Sequence, residues 1–168
     1  AGGIVDQVNA LVLHAPEHRH EGRLRVGVAP PEARLVAVLV GLGAALEWLA
    51  ERFERQYRVR TTCESFGNWR DIPETTSVLL FQSARELLAN VGKHAQARNV
   101  HVSLAMEAGK VTMAVTDDGV GFDARAASAA GPAKQSFGLF SIRERMHHIG
   151  GSVDIQSQPG QGATLTLL

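Results

Sequence analysis

The sequence predicts an α/β protein built as a two-layer sandwich, in which a mixed, mostly antiparallel sheet carries helices on one face. Three observations predict it. Two long segments with helical spacing of apolar residues lie in the first half of the chain, at residues 35–54 and 73–95. Residues 99–106 and 111–116 have the composition of a β-hairpin. A third helix and two further short strands close the chain.

The first half of the chain supplies two helices and one strand. Apolar residues recur at helical intervals over residues 35–54, and residues 58–64 are rich in the β-branched side chains that favour strands. A loop at residues 65–73 leads to the second helix. Pro73 suits the first turn of that helix, where no N–H is needed, and Glu74 suits its positive N-terminal end.

The second half supplies the remaining strands. The hairpin turns through Ala108-Gly109-Lys110, where glycine provides the turn geometry. A helix is predicted over residues 139–149, and the glycine pair Gly150-Gly151 separates it from strands at residues 152–157 and 163–168. The segments together predict one mixed sheet covered by helices on one side.

Two parts of the chain are not predicted to belong to this core. Ala29-Pro30-Pro31 indicates a break, so residues 1–34 are interpreted as a leader and residues 35–168 as the domain. Residues 123–136 contain no large apolar side chain, and Gly131-Pro132 interrupts any helix there, so a mobile loop is expected.

The composition excludes several classes of function. Lys and Arg total 17, as do Asp and Glu, so nothing indicates a nucleic-acid or anionic-membrane partner. Cys63 is the only cysteine, which excludes an intrachain disulfide and a cysteine-based zinc site and fits a reducing cytoplasm. The apolar run over residues 35–46 falls short of the roughly 20 residues that cross a bilayer. We therefore expect no direct membrane insertion and a cytoplasmic location, even if a parent protein is membrane-anchored.

The second helix carries an unusual group of polar side chains. On an ideal helix of about 3.6 residues per turn, Glu86, Asn90 and Lys93 fall on one face. His94 lies at the edge of that face, and apolar residues cover the opposite side. An acid, an amide and a cation therefore converge, although a solvated helix face would have the same pattern.

Three glycine-containing segments follow this helix in order. Asp117-Asp118-Gly119-Val120-Gly121-Phe122 comes first; alone, such a run is more often a turn than a ligand site. Residues 137–145 have the pattern of a glycine-opened helix, and Pro159-Gly160-Gln161-Gly162-Ala163-Thr164 is a glycine turn before the last strand. Four such elements in sequence favour a ligand site over unrelated turns.

Taken as a set, these segments resemble the ATP-binding catalytic domain of bacterial sensor histidine kinases, in the superfamily that includes gyrase, MutL-type repair proteins and heat-shock chaperone ATPases. The segment from Glu86 to Ala95 is similar to the asparagine box of relatives of nitrate-responsive sensors. The resemblance covers residues 42–168. It implies a Bergerat-type ATP-binding fold and an ATP-dependent protein histidine kinase, with ATP and Mg²⁺ as ligands.

The resemblance implies a role for each polar residue. Asn90 matches the Mg²⁺ ligand, and Lys93 and His94 would face the phosphates. Asp117 would accept a hydrogen bond from the adenine amine and reject guanine's carbonyl, so ATP and not GTP is expected. Glu86 matches the acid that activates water in the ATPases and is proposed to act as a general base on the acceptor histidine. The expected catalytic residues are Glu86, Lys93 and His94.

The glycine segments complete the expected nucleotide site. Gly119 and Gly121 would let backbone approach the base and let a lid at residues 123–136 move. The family often has Thr after the second glycine of the last segment; Ala163 stands there in this chain and Thr164 follows. The full expected nucleotide-binding set is Asn90, Lys93, His94, Asp117, Gly119, Gly121, Phe122, Gly138, Leu139, Gly160, Gly162 and Thr164.

Plainer interpretations remain for some of these residues. His94 could cap the end of its helix, and Glu86 could be an ordinary surface acid. Arg143 and Arg145 could guide phosphate, pack against the lid or be surface charges.

One feature of the family is missing from the sequence. The acceptor histidine of the family lies in a Glu-Leu-His-Asp context, and no such tetrapeptide occurs here; His14, His18 and His20 have other surroundings. Residues 1–34 would then be a linker or the remnant of a dimerisation region. The expected partners are the histidine-bearing dimerisation segment of the parent kinase and a response regulator in a two-component phosphorelay, and the domain alone is expected to be a monomer.

Two alternatives to a histidine kinase remain. One is an anti-sigma-type serine kinase, which shares the fold and lacks a dimerisation helix. The other is an ATP-binding module without turnover.

Overall fold

A computed structural model of the chain describes residues 41–67, 72–125 and 137–168. The predicted leader and residues 126–136 of the predicted lid lie outside the described residues. The helices and strands are α1 (Leu42–Tyr57), β1 (Arg60–Phe66), α2 (Glu74–Asn90), β2 (Asn99–Glu107), β3 (Lys110–Asp117), α3 (Phe137–His148), β4 (Val153–Ser157) and β5 (Ala163–Leu167). None of the described helices is long and apolar enough to cross a membrane.

The strands form one mixed sheet in the order β1-β2-β3-β5-β4. β1 pairs with β2 in parallel, because α2 carries the chain back across the sheet between them. The other neighbours are antiparallel, beginning with the predicted hairpin of β2 and β3, which turns through Ala108 (φ 48°) and Gly109 (φ 76°). The prediction of a mixed, mostly antiparallel sheet is confirmed.

The core lies between the helices and one face of the sheet. Alternation along each strand sends one set of side chains toward the helices and the other set to the opposite, mostly polar face. The buried apolar side chains of the three central strands are Val100, Val102, Leu104, Met113, Val115, Ala163, Leu165 and Leu167. The helices cover them with Leu42, Leu46, Phe53, Leu80, Phe81, Leu87, Leu88, Val91, Ile142 and Met146.

The end of the second helix differs from its prediction. The sequence predicts one regular helix to Ala95, whereas α2 ends at Asn90 and the chain continues as a single π-helical turn over Val91–Ala95. Gln96, with φ of 52°, ends that turn in the left-handed conformation. Helical periodicity does not reveal such a turn, which is frequent at functional sites.

Contact with α1 explains why glycine occupies the π turn. The ring of Tyr57 lies against Gly92, and a Cβ built on Gly92 would fall 2.6 Å from Tyr57 Cε1. The Tyr57 ring also packs on buried Phe53, with ring centroids 4.8 Å apart, which limits its freedom to swing away. The absence of a side chain at Gly92 therefore lets the last turn of α1 support the π turn.

We predict that Gly92→Ala destabilises the protein by about 1–3 kcal/mol through overpacking. Intrinsic helix propensity alone would instead make the Ala variant more stable than the wild type, by about 1 kcal/mol. Denaturant unfolding measures the change. In a Tyr57→Leu background, where the ring is absent, the same substitution is expected to cost less. A higher denaturation midpoint for Gly92→Ala in the wild-type background would show that the close contact does not constrain the turn.

Candidate functional site

A cavity of about 320 Å³ lies between α2, α3 and the sheet. This volume is near the lower end of the range for ligand pockets, about 300–1,000 Å³. The wall is mainly apolar, with a few polar side chains around it. The lining residues are Leu87, Asn90, Val91, His94, Ala95, Asp117, Val120, Gly121, Phe122, Leu139, Arg143, Ile155, Ala163 and Leu165.

The structure divides the residues that the sequence predicts for the site into two groups. The residues that line the cavity are Asn90, His94, Asp117, Gly121, Phe122 and Leu139. The residues that do not line it are Glu86, Lys93, Gly119, Gly138, Gly160, Gly162 and Thr164. Most of the second group lie close to the cavity and shape it through backbone or helix contacts.

Asp117 ends β3 with its carboxyl group at the cavity wall, and only 7% of the residue is exposed. Its Oδ1 accepts a hydrogen bond from the Gly119 N–H, at 2.9 Å. Burial raises the pKa of Asp117, and the Asp118 charge adds to that rise, while the backbone N–H groups of Gly119 and Ala163 oppose it. A partly desolvated acceptor at an apolar wall is well suited to an uncharged donor such as an amine.

Asp118 has a different, structural role. Its Oδ1 accepts from the backbone N–H groups of Arg98 (2.8 Å) and Asn99 (2.9 Å), and its Oδ2 accepts from Asn99 Nδ2 (2.7 Å). These bonds, with that of the Asn99 N–H largest, lower the pKa of Asp118. The two adjacent acids therefore have different roles. Asp117 faces the cavity, and Asp118 fixes the start of β2 to the end of β3.

Backbone hydrogen bonds fix the loop that follows β3. The Val120 N–H donates to the Ala95 carbonyl at 2.8 Å, and the Val120 carbonyl accepts from the Gly160 N–H at 2.6 Å. These two bonds join the π turn, the loop after β3 and the turn between β4 and β5. We call this arrangement the Val120 junction.

Two glycines allow the chains at the Val120 junction to approach closely. Gly121 and Gly162 have φ of 59° and 70°, in the left-handed region that favours glycine. A Cβ on Gly121 would overlap the Gln158 carbonyl, and one on Gly162 would overlap that of Asp117. Glycine at both positions therefore allows one backbone segment to pack directly against another. This requirement is independent of any contact between Gly121 and a ligand.

The π turn decides which residue after Asn90 reaches the cavity. A π turn bonds residue i to i+5, so each residue advances less around the axis than in an α-helix. The residue four positions after Asn90, and not the one three positions after it, then lies on the cavity side. Accordingly, His94 lines the cavity, and Lys93 is exposed outside it.

Glu86 and Asn90 meet the start of α3. A Cβ built on Gly138 would overlap Glu86 Oε1 and would fall 3.2 Å from Asn90 Nδ2. Both polar side chains are half-buried, and the bare backbone at Gly138 leaves room for them. The first turn of α3 therefore covers the acid and the amide that the sequence places one helical turn apart.

Thr164 lies on the other face of the sheet from the cavity. Its hydroxyl is 3.2 Å from that of Thr116 on the neighbouring strand, and the cavity is lined by Ala163 and Leu165 instead. The alternation of β5 contains this information, because buried Leu165 and Leu167 place Ala163 on the helix side.

Other lining residues were not among the predicted site residues. Leu87 and Val91 have the pattern of core residues, and they are buried while also forming a cavity wall. Ile155 contributes from β4 and Arg143 from the second turn of α3. The sequence leaves Arg143 as a phosphate contact, a lid contact or a surface charge; it lines the cavity because residues four apart share a helix face and Leu139 lies one turn before it.

The described residues include no cluster of three or more His, Cys, Asp or Glu side chains placed to share a metal ion. A metal held here would need ligands other than such a cluster, for example amide oxygens, water or the oxygens of a bound ligand.

Comparisons with known proteins agree with this geometry. A family model described as "Histidine kinase-, DNA gyrase B-, and HSP90-like ATPase" matches residues 75–168. The chain is 30% identical over 128 residues to the signal transduction histidine-protein kinase/phosphatase DegS of Brevibacillus brevis, covering 76% of this chain and 32% of that protein. It is 29% identical over 128 residues to the oxygen sensor histidine kinase NreB of Staphylococcus carnosus, covering 76% and 36%. The chain thus spans about a third of these relatives.

A solved structure shows the same fold. The ATP-binding domain of PrrB from Mycobacterium tuberculosis matches with a TM-score of 0.55 at 19% identity, over 74% of this chain and 90% of that one. The ATP-binding fold that the resemblance implies is confirmed.

We predict opposite effects on stability for two adjacent substitutions, Asp117→Asn and Asp118→Asn. The raised folded pKa of Asp117 makes its charge destabilising, and the cost grows as the pH rises from the ordinary value of 3.8 to the raised value. Asp117→Asn should therefore raise the unfolding temperature at neutral pH and lose that advantage below pH 3.8. Thermal unfolding from pH 3 to 7 measures this.

Asp118→Asn is the matched control. The lowered folded pKa of Asp118 makes its charge stabilising above its unfolded pKa, and this contribution disappears as the pH falls through the lowered value. Asp118→Asn should therefore lower the unfolding temperature at neutral pH. If both substitutions shifted the unfolding temperature in the same direction, the separation of roles between the two acids would be refuted.

Proposed function

Because this chain belongs to the family of histidine kinase-, DNA gyrase B- and HSP90-like ATPases, we propose that it is the ATP-binding catalytic domain of a sensor histidine kinase. The observation that carries the proposal is the buried Asp117 carboxyl in the wall of an apolar cavity that Asn90 and His94 also line. A base-sized apolar space with one fixed acceptor, next to groups suited to phosphates and metal, fits a nucleoside triphosphate.

Asp117 provides the proposed specificity for adenine. Its carboxylate accepts from the exocyclic amine of adenine, whereas the carbonyl of guanine at that position would face another acceptor. Leu87, Ile155 and Leu165 offer the ring an apolar wall. The Gly119 N–H holds the carboxylate in place, so little reorganisation is needed on binding.

The rim of the cavity is the proposed site of the phosphates and Mg²⁺. The Asn90 amide oxygen is a hard, neutral donor of the kind that Mg²⁺ accepts alongside phosphate oxygens and water. His94 can donate to a phosphate, and Lys93, beside it in the chain, adds positive charge. The N-terminal turn of α3 at Gly138 directs backbone N–H groups toward the same region.

Glu86 is the proposed general base. The reaction would be transfer of the γ-phosphoryl group to a histidine on a dimerisation segment of the parent kinase, and then to an aspartate of a response regulator. Glu86 lies next to Asn90, beneath the start of α3, so base and metal ligand would act on one phosphoryl group. We also propose a cytoplasmic setting, where ATP is available.

We predict that Asp117→Asn weakens binding of Mg²⁺ with a nonhydrolysable ATP analogue at least about tenfold, since hydrogen bonds to charged groups contribute about 1.5–3 kcal/mol. Asn90→Ala should weaken binding to a similar degree with Mg²⁺ present and little in EDTA. Calorimetric titration measures both. Asp154→Asn, an exposed site on β4, is the control and should bind normally. Equal affinity of the wild type for a GTP analogue would contradict the role of Asp117.

We predict that the parent kinase, incubated with ATP labelled on its γ-phosphate, forms a phosphoryl linkage that is labile in acid and stable in alkali, as phosphohistidine is. A Glu86→Gln variant should form it at least about 100-fold more slowly, within the range for loss of general-base catalysis. Acid-stable label on serine would instead assign the chain to the anti-sigma-type kinases. Binding without any label transfer would indicate a module without turnover.

A further inference from the structure

Arg143 is a charged residue of the cavity wall to which the proposed function gives no part. It lies one helical turn after Leu139 in α3, and both residues line the cavity. Arg143 is half-buried. Among the described residues that line the cavity, it alone carries a permanent positive charge. The cation that the sequence predicts for this site, Lys93, is exposed outside the cavity.

The geometry of α3 sets the direction in which the Arg143 side chain leaves the helix. Every Cα–Cβ bond of an α-helix tilts toward the helix N-terminus, and long side chains lie over the preceding turn. In α3 that turn contains Gly138 and Leu139. A Cβ built on Gly138 would fall 3.2 Å from Asn90 Nδ2. Arg143 is therefore directed toward the part of the cavity wall where α3 meets Asn90.

The charge of Arg143 is not used to neutralise Asp117. A guanidinium beside a carboxylate lowers the pKa of that carboxylate. The pKa of Asp117 is instead raised by burial and by Asp118, and the groups that lower it are the backbone N–H groups of Gly119 and Ala163. The cation and the carboxylate of this cavity thus belong to different parts of its wall.

We propose that Arg143 binds the diphosphate part of the nucleotide. In the proposed function Asp117 holds the base, and Asn90 and Glu86 act at Mg²⁺ and the γ-phosphate, which leaves the α- and β-phosphates for a cation on α3. The planar guanidinium donates paired hydrogen bonds that match phosphate oxygens. This inference rests on the proposed function, because it concerns the same nucleotide in the same cavity.

The proposal separates two contributions to affinity. Asp117 contributes to the binding of every ligand that carries adenine, whereas Arg143 contributes only when phosphates are present. ADP retains the α- and β-phosphates, so Arg143 holds substrate and product equally. Binding energy of this uniform kind raises affinity without accelerating the chemical step.

The experiment titrates the chain with adenosine and with ADP in EDTA, followed by backbone amide resonances, which report weak binding as well as strong. Arg143→Gln should weaken ADP binding at least about tenfold, as expected for a lost hydrogen bond between charged groups, and should change adenosine binding less than about twofold. Asp117→Asn should weaken both ligands by a similar factor. Arg143→Lys, which keeps the charge but not the paired geometry, should recover part of the ADP affinity.

Arg60→Gln is the matched control, because Arg60 is exposed on β1, at the edge of the sheet. It removes the same charge from the chain without touching the cavity, and ADP should bind to it as to the wild type. Unchanged adenosine binding by Arg143→Gln shows in the same titration that this variant is folded.

A second measurement uses ionic strength. Salt screens the attraction between a guanidinium and phosphate, so the ADP affinity of the wild type should fall between about 50 and 500 mM salt. The ADP affinity of Arg143→Gln should fall less over the same range. Equal salt dependence in the two proteins would contradict a direct contact between Arg143 and phosphate.

The outcomes separate this inference from the proposed function. If the wild type binds ADP and Arg143→Gln binds it equally well, or if the variant weakens adenosine and ADP by the same factor, the phosphate contact is refuted and the proposed function stands. A loss seen with a nonhydrolysable ATP analogue but not with ADP would refute contact with the diphosphate. A wild-type chain that binds neither ADP nor Mg²⁺ with the ATP analogue would overturn the proposed function and this inference together.

Discussion

The site depends on the Val120 junction. One residue in the loop after β3 bonds backward to the end of the π turn through Ala95 and forward to the last hairpin through Gly160. These two backbone bonds add to the core packing of α2 on the sheet and to the pairing of β3 with β5, and they fix the loop after β3 against the π turn and the last hairpin. Val120 itself lines the cavity, so the junction forms part of its wall.

The junction explains the glycine content of the motifs in physical terms. The close approach of one backbone to another leaves no room for a Cβ at Gly121 or Gly162, and both have a backbone conformation that other residues rarely adopt. A role for these glycines in ligand approach is compatible with this packing. The packing alone, however, would already require glycine at both positions.

Whether the pKa of a carboxyl group in this domain is raised or lowered depends on its burial and its hydrogen bonds more than on its neighbours in the sequence. Asp117 and Asp118 are adjacent, yet burial raises the pKa of one and backbone N–H groups lower the pKa of the other. Glu86 is half-buried where α2 meets Gly138 at the start of α3. Asp117 is buried and Glu86 is half-buried, and electrostatic interactions are stronger where water is partly excluded.

The sequence by itself determined the order of the elements and the mixed sheet with helices on one face, because periodicity is a local property. The resemblance of its motifs to a known family identified Asn90 and Asp117, which both line the cavity. Tertiary structure decided the rest. The π turn leaves His94 at the cavity and places Lys93 outside it. Leu87 and Val91 have core patterns that do not reveal a cavity, since a cavity exists only where helices and sheet from distant parts of the chain fail to meet completely.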